Sequence, residues 1–152
     1  ALLINYNGKS YYDDEKINDL NEPVKNANDL FELLTEKYTF NKNNTSLIIN
    51  PTRDEIFKAF EDKKKILNED DNLLIFYAGH GHWDPETEEG FWIPKDGKSG
   101  EDYTYISNAD IKRKIKSIKS KNTLLIADAC FSGGIFEGRS MSLSTAVCNL
   151  GD

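Results

Sequence analysis

Apolar residues along this chain fall into two rhythms. Four short runs are apolar at nearly every position: Leu2-Leu3-Ile4, Ser46-Leu47-Ile48-Ile49, Leu73-Leu74-Ile75-Phe76-Tyr77, and Leu124-Leu125-Ile126 continuing to Asp128. Between them apolar residues recur at intervals of three and four: Val24, Ala27, Leu30, Phe31, Leu34 and Tyr38, then Ile56, Ala59, Phe60 and Leu67, then Ile111, Ile115 and Ile118. Consecutive apolar positions suit a strand buried on both faces, and the three-four spacing suits a helix with one buried stripe. Start signals agree with that division. Pro23 stands at a first helical position, Thr52 and Glu55 have the spacing of a capping box, and Ser107 caps a third helix with Asp110 three residues on.

Strands alternating with helices predict an α/β domain in which a mostly parallel central sheet carries helices on both faces through right-handed crossovers. Two segments interrupt the alternation. Residues 5–22 are polar and turn-rich, and the acidic, aromatic stretch after Tyr77 holds two candidate short strands, Phe91-Trp92-Ile93-Pro94 and Tyr103-Thr104-Tyr105-Ile106. Residues 1–136 read as the domain, and 137–152, rich in Ser, Gly and Thr without a period, as a flexible loop or tail. A chain that opens at Ala1 inside an apolar run reads as a piece of a longer one.

In parallel sheets functional groups gather at the carboxyl ends of the strands. The third strand breaks into Ala78-Gly79-His80-Gly81-His82 and the fourth into Ala129-Cys130-Phe131-Ser132-Gly133-Gly134, so a histidine and a cysteine leave two strand tips, each beside glycine. A cysteine attacks as its thiolate, and a neighbouring imidazole is what lowers a thiol from its free pKa of about 8.5. In acyl transfer the same imidazole passes a proton to the departing amine. The backbone amides of Gly81 and Cys130 are the candidate oxyanion donors. His82 is the rival base, two residues further out and read as solvated or substrate-contacting.

Asp128 precedes the cysteine by two residues, so in an extended chain both project to one side. At about 4 Å and an effective dielectric near 20, that carboxylate would attract a substrate Lys or Arg by about 4 kcal/mol before desolvation is subtracted. A cleavage preference after basic residues follows. Each feature alone has a plainer reading, a small buried thiol or a structural turn histidine; the pair at two tips of one sheet favours catalysis.

Composition narrows the partners. The 152 residues are 38% hydrophobic and 30% charged, enough for one domain with a core. A net charge of -7 opposes a nucleic acid or an anionic membrane surface as main partner. The basic stretch at Lys112, Arg113, Lys114, Lys116, Lys119 and Lys121 reads as a solvated helix face. With only Cys130 and Cys148, in no CxxC spacing, neither a disulfide framework nor a cysteine-rich zinc site is expected, and a reducing, cytoplasmic setting is the default. No glycine-rich phosphate loop follows the first strand, which sets aside a nucleotide binder.

At these residues the chain resembles the caspase and metacaspase superfamily of cysteine peptidases, most closely its bacterial caspase-like members. The resemblance is carried by Tyr77-Ala78-Gly79-His80-Gly81 and Asp128-Ala129-Cys130-Phe131-Ser132-Gly133, with Gly90-Phe91-Trp92-Ile93-Pro94-Lys95-Asp96 and Ile106-Ser107-Asn108-Ala109-Asp110-Ile111 between them in the family's order. It implies a caspase-like three-layer α/β sandwich, a His80 and Cys130 dyad working through a thioester acyl-enzyme, and Asp128 in the pocket for the residue before the cut. An acid at the position of Asp128 is the mark of relatives that cleave after Arg or Lys. Asn26 stands where basic-specific relatives carry a second pocket aspartate. The family needs no cofactor as a rule, although some metacaspases use calcium. Asp84, Glu86, Glu88, Glu89, Asp96, Glu101 and Asp102 are the acids available, without EF-hand spacing. The portion present is that of the large subunit, so a small-subunit segment or second chain is expected along the sheet edge beside the fourth strand, and Arg139 offers a self-cleavage site. The alternative within the same fold is a non-catalytic scaffold or sensor module.

Overall fold

The computed structural model describes residues 1–7, 22–129 and 145–149, the side chains of 22–24 and 145–149 excepted. The elements run β1 (Leu2–Asn5), α1 (Glu22–Glu36), β2 (Ser46–Ile49), α2 (Arg53–Ile66), β3 (Asn72–Gly79), β4 (Gly81–Asp84), β5 (Glu89–Trp92), β6 (Ile106–Ser107), α3 (Asn108–Lys116), β7 (Asn122–Ala129) and β8 (Thr145–Asn149), with single 3-10 turns at Lys42–Asn44 and Asp102–Thr104. Five strands make the main sheet in the order β2-β1-β3-β7-β8, and β4, β5 and β6 form a small antiparallel sheet. The first four strands of the main sheet are parallel, and β8 lies antiparallel to β7.

Alternation along the strands builds two cores. Leu2, Ile4, Ile75, Tyr77, Leu125 and Ala127 face one way, where Ile56 and Phe60 of α2 and Ile111 and Ile115 of α3 pack on them. Leu3, Phe76 and Ala78 face the other way, under Ala27 and Leu34 of α1. Helices on both faces of a mostly parallel sheet make the three-layer sandwich that the apolar rhythm predicts. The capping box forms as expected: the Thr52 hydroxyl accepts from the Glu55 amide while the Glu55 carboxylate accepts from the Thr52 amide. Ser107 likewise accepts from the Asp110 amide.

Four details depart from the sequence reading. Tyr38 lies beyond the end of α1 and is 61% exposed, so the apolar stripe stops at Leu34. Tyr103 and Thr104 belong to a 3-10 turn, leaving only Ile106 and Ser107 to pair with β5. The stretch after His80, to which the sequence assigns no element, forms β4, because Gly81 to Asp84 finds a partner strand in Glu89–Trp92. Within 137–152, read as a flexible loop or tail, Thr145–Asn149 is a strand that pairs antiparallel with the outer side of β7, the edge where a small-subunit segment or second chain was expected. The rest of 137–152, including Arg139, lies outside the described residues.

One charge is buried in the cover layer. Lys63 of α2 is 3% exposed and its Nζ donates to the Asn44 carbonyl at 2.9 Å. Burial holds its pKa below the ordinary lysine value, against the pull of Asp62 in the other direction. The unfolded lysine therefore binds its proton more tightly than the folded one. Stability is at its deficit at neutral pH and rises as pH climbs toward about 10.4, where the unfolded side chain also discharges. Urea unfolding of Lys63→Met at pH 7 and pH 10 is expected to lose this alkaline gain; an equal gain in the variant and the parent would show that Lys63 is not its source.

Candidate active site

The chain changes direction between β1 and β3. From β1 it crosses to β2 on one side, whereas β3 leads on to β7 on the other. In an open α/β sheet such a switch point leaves a crevice at the carboxyl ends of the strands. Asn5, Tyr6 and His80 stand at that end. The Tyr6 amide donates to the Ala78 carbonyl at 2.9 Å, extending the β1–β3 ladder by one bond. The ring of Tyr6 meets the His80 imidazole edge-on at 5.9 Å between centroids. His80 is half-buried, and its carbonyl accepts from the Ile93 amide at 3.1 Å and from the Tyr77 hydroxyl at 2.6 Å.

The register of β3 with β7 bears most directly on the dyad. Gly79, the last residue of β3, is paired with Ala129, the last residue of β7. His80 and Cys130 are the next residues in sequence after these two strand ends, and paired parallel strands lie about 4.8 Å apart. Cys130 itself lies outside the described residues. Gly81 follows His80 as the first residue of β4, paired with Trp92.

The two pocket candidates share a face. Asp128 is paired with Ala78 and continues the alternation of Ile126, so it lies on the side of the sheet that α1 covers. It is exposed. Asn26 is also exposed, and its neighbour Ala27 packs in the cluster that contains Ala78. Because a crossover helix returns against the strands, the first turns of α1 lie at the carboxyl edge of the sheet, the edge at which Asp128 is the last residue but one of β7. Sequence reasoning missed Asn5 on this row: it is paired with Ala78 from the other side, is fully buried, and its side-chain oxygen has no hydrogen-bond partner among the described residues.

His82 is held elsewhere. Its Nε2 lies 3.8 Å from Asp102 Oδ1, and its ring contacts Phe91 and Tyr105 at centroid distances of 6.2 and 5.9 Å. Several of the acids available for calcium are engaged locally. Asp84 accepts from the Thr87 hydroxyl and the Glu86 amide, which together lower its pKa. Asp96 accepts from the Arg53 amide, Glu101 pairs with Lys98 and Tyr103, and Glu89 accepts from the Ala109 amide. Among the described residues, no three His, Cys, Asp or Glu side chains converge as a metal site would require. No helix among them is long and apolar enough to cross a membrane.

The main sheet is thus sandwiched between helices, with His80 just past the end of β3 and Cys130 next in sequence after the neighbouring β7. The sequence profile of the Caspase domain matches residues 1–147, and the chain belongs to that family, whose class of function is cysteine-peptidase hydrolysis. No curated protein matches the chain. Among solved structures, a protein from Geobacter sulfurreducens superimposes with a TM-score of 0.67 at 18% identity, over 88% of this chain and 51% of that one. At that identity the likeness is one of fold. The chain spans about half the length of that structure.

Proposed function

We propose that this chain carries the catalytic dyad of a cysteine endopeptidase that cuts after Arg or Lys, of the metacaspase-like kind. The pairing of Gly79 with Ala129 is the observation that carries the reading, because it starts His80 and Cys130 from the same level of adjacent strands. His80 takes the thiol proton, and the sulfur attacks the scissile carbonyl. The tetrahedral oxyanion is met by the amides of Gly81 and Cys130. Collapse breaks the C–N bond, the amine leaves with the proton from His80, and a thioester remains. Water, deprotonated by His80, then attacks the thioester and releases the acid and the free thiol.

Asp128 supplies the negative charge for the basic side chain, and Asn26 lines the same pocket as a neutral partner. The remaining strands come from a small-subunit portion laid along the sheet, and cleavage at Arg139 is a route to maturation. Full-length protein incubated with fluorogenic peptides ending in Arg, Lys or Asp, with and without calcium, tests the proposal. Turnover of the Arg and Lys peptides by wild type and none by Cys130→Ala is expected. Equal inactivity of both proteins under every condition would leave a non-catalytic scaffold of the same fold. Preference for Asp would overturn the pocket assignment alone.

A further inference from the structure

The histidine loop has a buried anchor that its short motif does not announce. We propose that Tyr77 is a positioning residue for His80, its hydroxyl fixing the backbone from which the imidazole projects; the inference rests on the peptidase reading above. Tyr77 is fully buried, its ring stacked on Trp92 at 4.1 Å and 14°. Its hydroxyl donates to the His80 carbonyl at 2.6 Å, the same carbonyl that accepts from the Ile93 amide at 3.1 Å. Burial drives the phenol far above its usual pKa, so it remains a neutral donor at any working pH.

The bond depends on a close approach across Gly79. A Cβ on Gly79 would stand 3.1 Å from the Tyr77 hydroxyl and 3.1 Å from both the Cβ and the carbonyl oxygen of Tyr6. The missing side chain lets the strand end fold over the phenol and leaves Tyr6 against the histidine ring. His80 is thereby held in three ways: by the chain leaving β3, by the Ile93 amide just after β5, and by the buried hydroxyl of Tyr77, three residues back on β3. A residue one step beyond a strand end would otherwise drift, and a misplacement of about 1 Å at a reacting group costs on the order of 10²-fold in rate. Trp92 supplies the floor that keeps the phenol aimed.

Tyr77→Phe removes one oxygen and keeps the stacked ring. In the full-length protein kcat per titrated active site is expected to fall about 10-fold, with KM within about twofold. Leu34→Ala, a core change in α1 on the opposite face of the sheet from Tyr77, controls for stability: it lowers the melting temperature at least as far and leaves kcat per titrated site at the parent value. A readout independent of turnover is the His80 imidazole signal in histidine-labelled NMR spectra, identified by its loss in His80→Gln. Tyr77→Phe is expected to shift or broaden that signal and leave the His82 signal in place. An unmoved His80 signal, or a moved one with kcat unchanged, overturns the positioning role. A parent protein that cleaves no peptide defeats the peptidase reading instead, and the imidazole signal still decides whether Tyr77 holds His80.

Discussion

Replacing His80 with Gln is expected to lower kcat/KM on an Arg-ending peptide by about 10²- to 10⁴-fold, the range that a positioned general acid and base contributes. Glutamine occupies a similar volume and still forms hydrogen bonds, so the loss isolates proton transfer from packing. The half-buried site at the end of β3 tolerates the change, since the Ile93 amide and the Tyr77 hydroxyl both bind the His80 carbonyl, which the substitution keeps. Melting temperature should therefore hardly move. His82→Gln is the matched control. Its ring lies on β4 beside Asp102, Phe91 and Tyr105, and its removal should leave kcat/KM within about threefold, under 1 kcal/mol. Equal losses from both substitutions would move the base to His82.

The second large effect is on selectivity. Asp128→Asn keeps the shape of the side chain and removes its charge, and kcat/KM on Arg and Lys peptides should fall about 10- to 100-fold while an uncharged peptide is cleaved as before. The gross attraction of about 4 kcal/mol at 4 Å sets the upper limit. Because Asp128 is exposed, solvent screening leaves a smaller net effect of about 1.4–3 kcal/mol. Asn26→Asp should act in the opposite sense, adding a second carboxylate on the α1 side of the sheet. Steady-state kinetics on matched Arg, Lys and norleucine peptides separates the two cases; a loss on norleucine as large as that on Arg would mean that Asp128 supports the site rather than selecting charge.

Much of this architecture was legible in the chain because single rhythms decide it. Ser46–Ile49 is apolar at three of its four positions and forms a strand with those bounds, and Thr52 with Glu55 starts a helix where two orphan backbone donors can be satisfied reciprocally. The candidate tips were legible too, since glycine beside a polar residue ends an apolar run wherever it falls. What escaped depends on partners distant in sequence. Gly81-His82-Trp83-Asp84 has no strand rhythm of its own and becomes one only against Glu89–Trp92. Tyr77 ends an apolar run and reads as core, yet a buried phenol needs an acceptor, and that need is the one local sign of its bond to His80. Asn5 is read as the start of a polar segment because nothing around it shows that β2 and β3 will enclose it.

The account depends on the thiol of Cys130 being activated by His80, and the pH profile of its alkylation measures that directly. Iodoacetamide labelling of the full-length protein, followed by peptide mass spectrometry, is expected to modify Cys130 faster than Cys148, with an inflection well below the free-thiol value of about 8.5. In His80→Gln the inflection should return toward that value and the rate advantage at neutral pH should vanish. A Cys130 labelled no faster than Cys148, with a profile that His80→Gln leaves in place, would contradict the dyad.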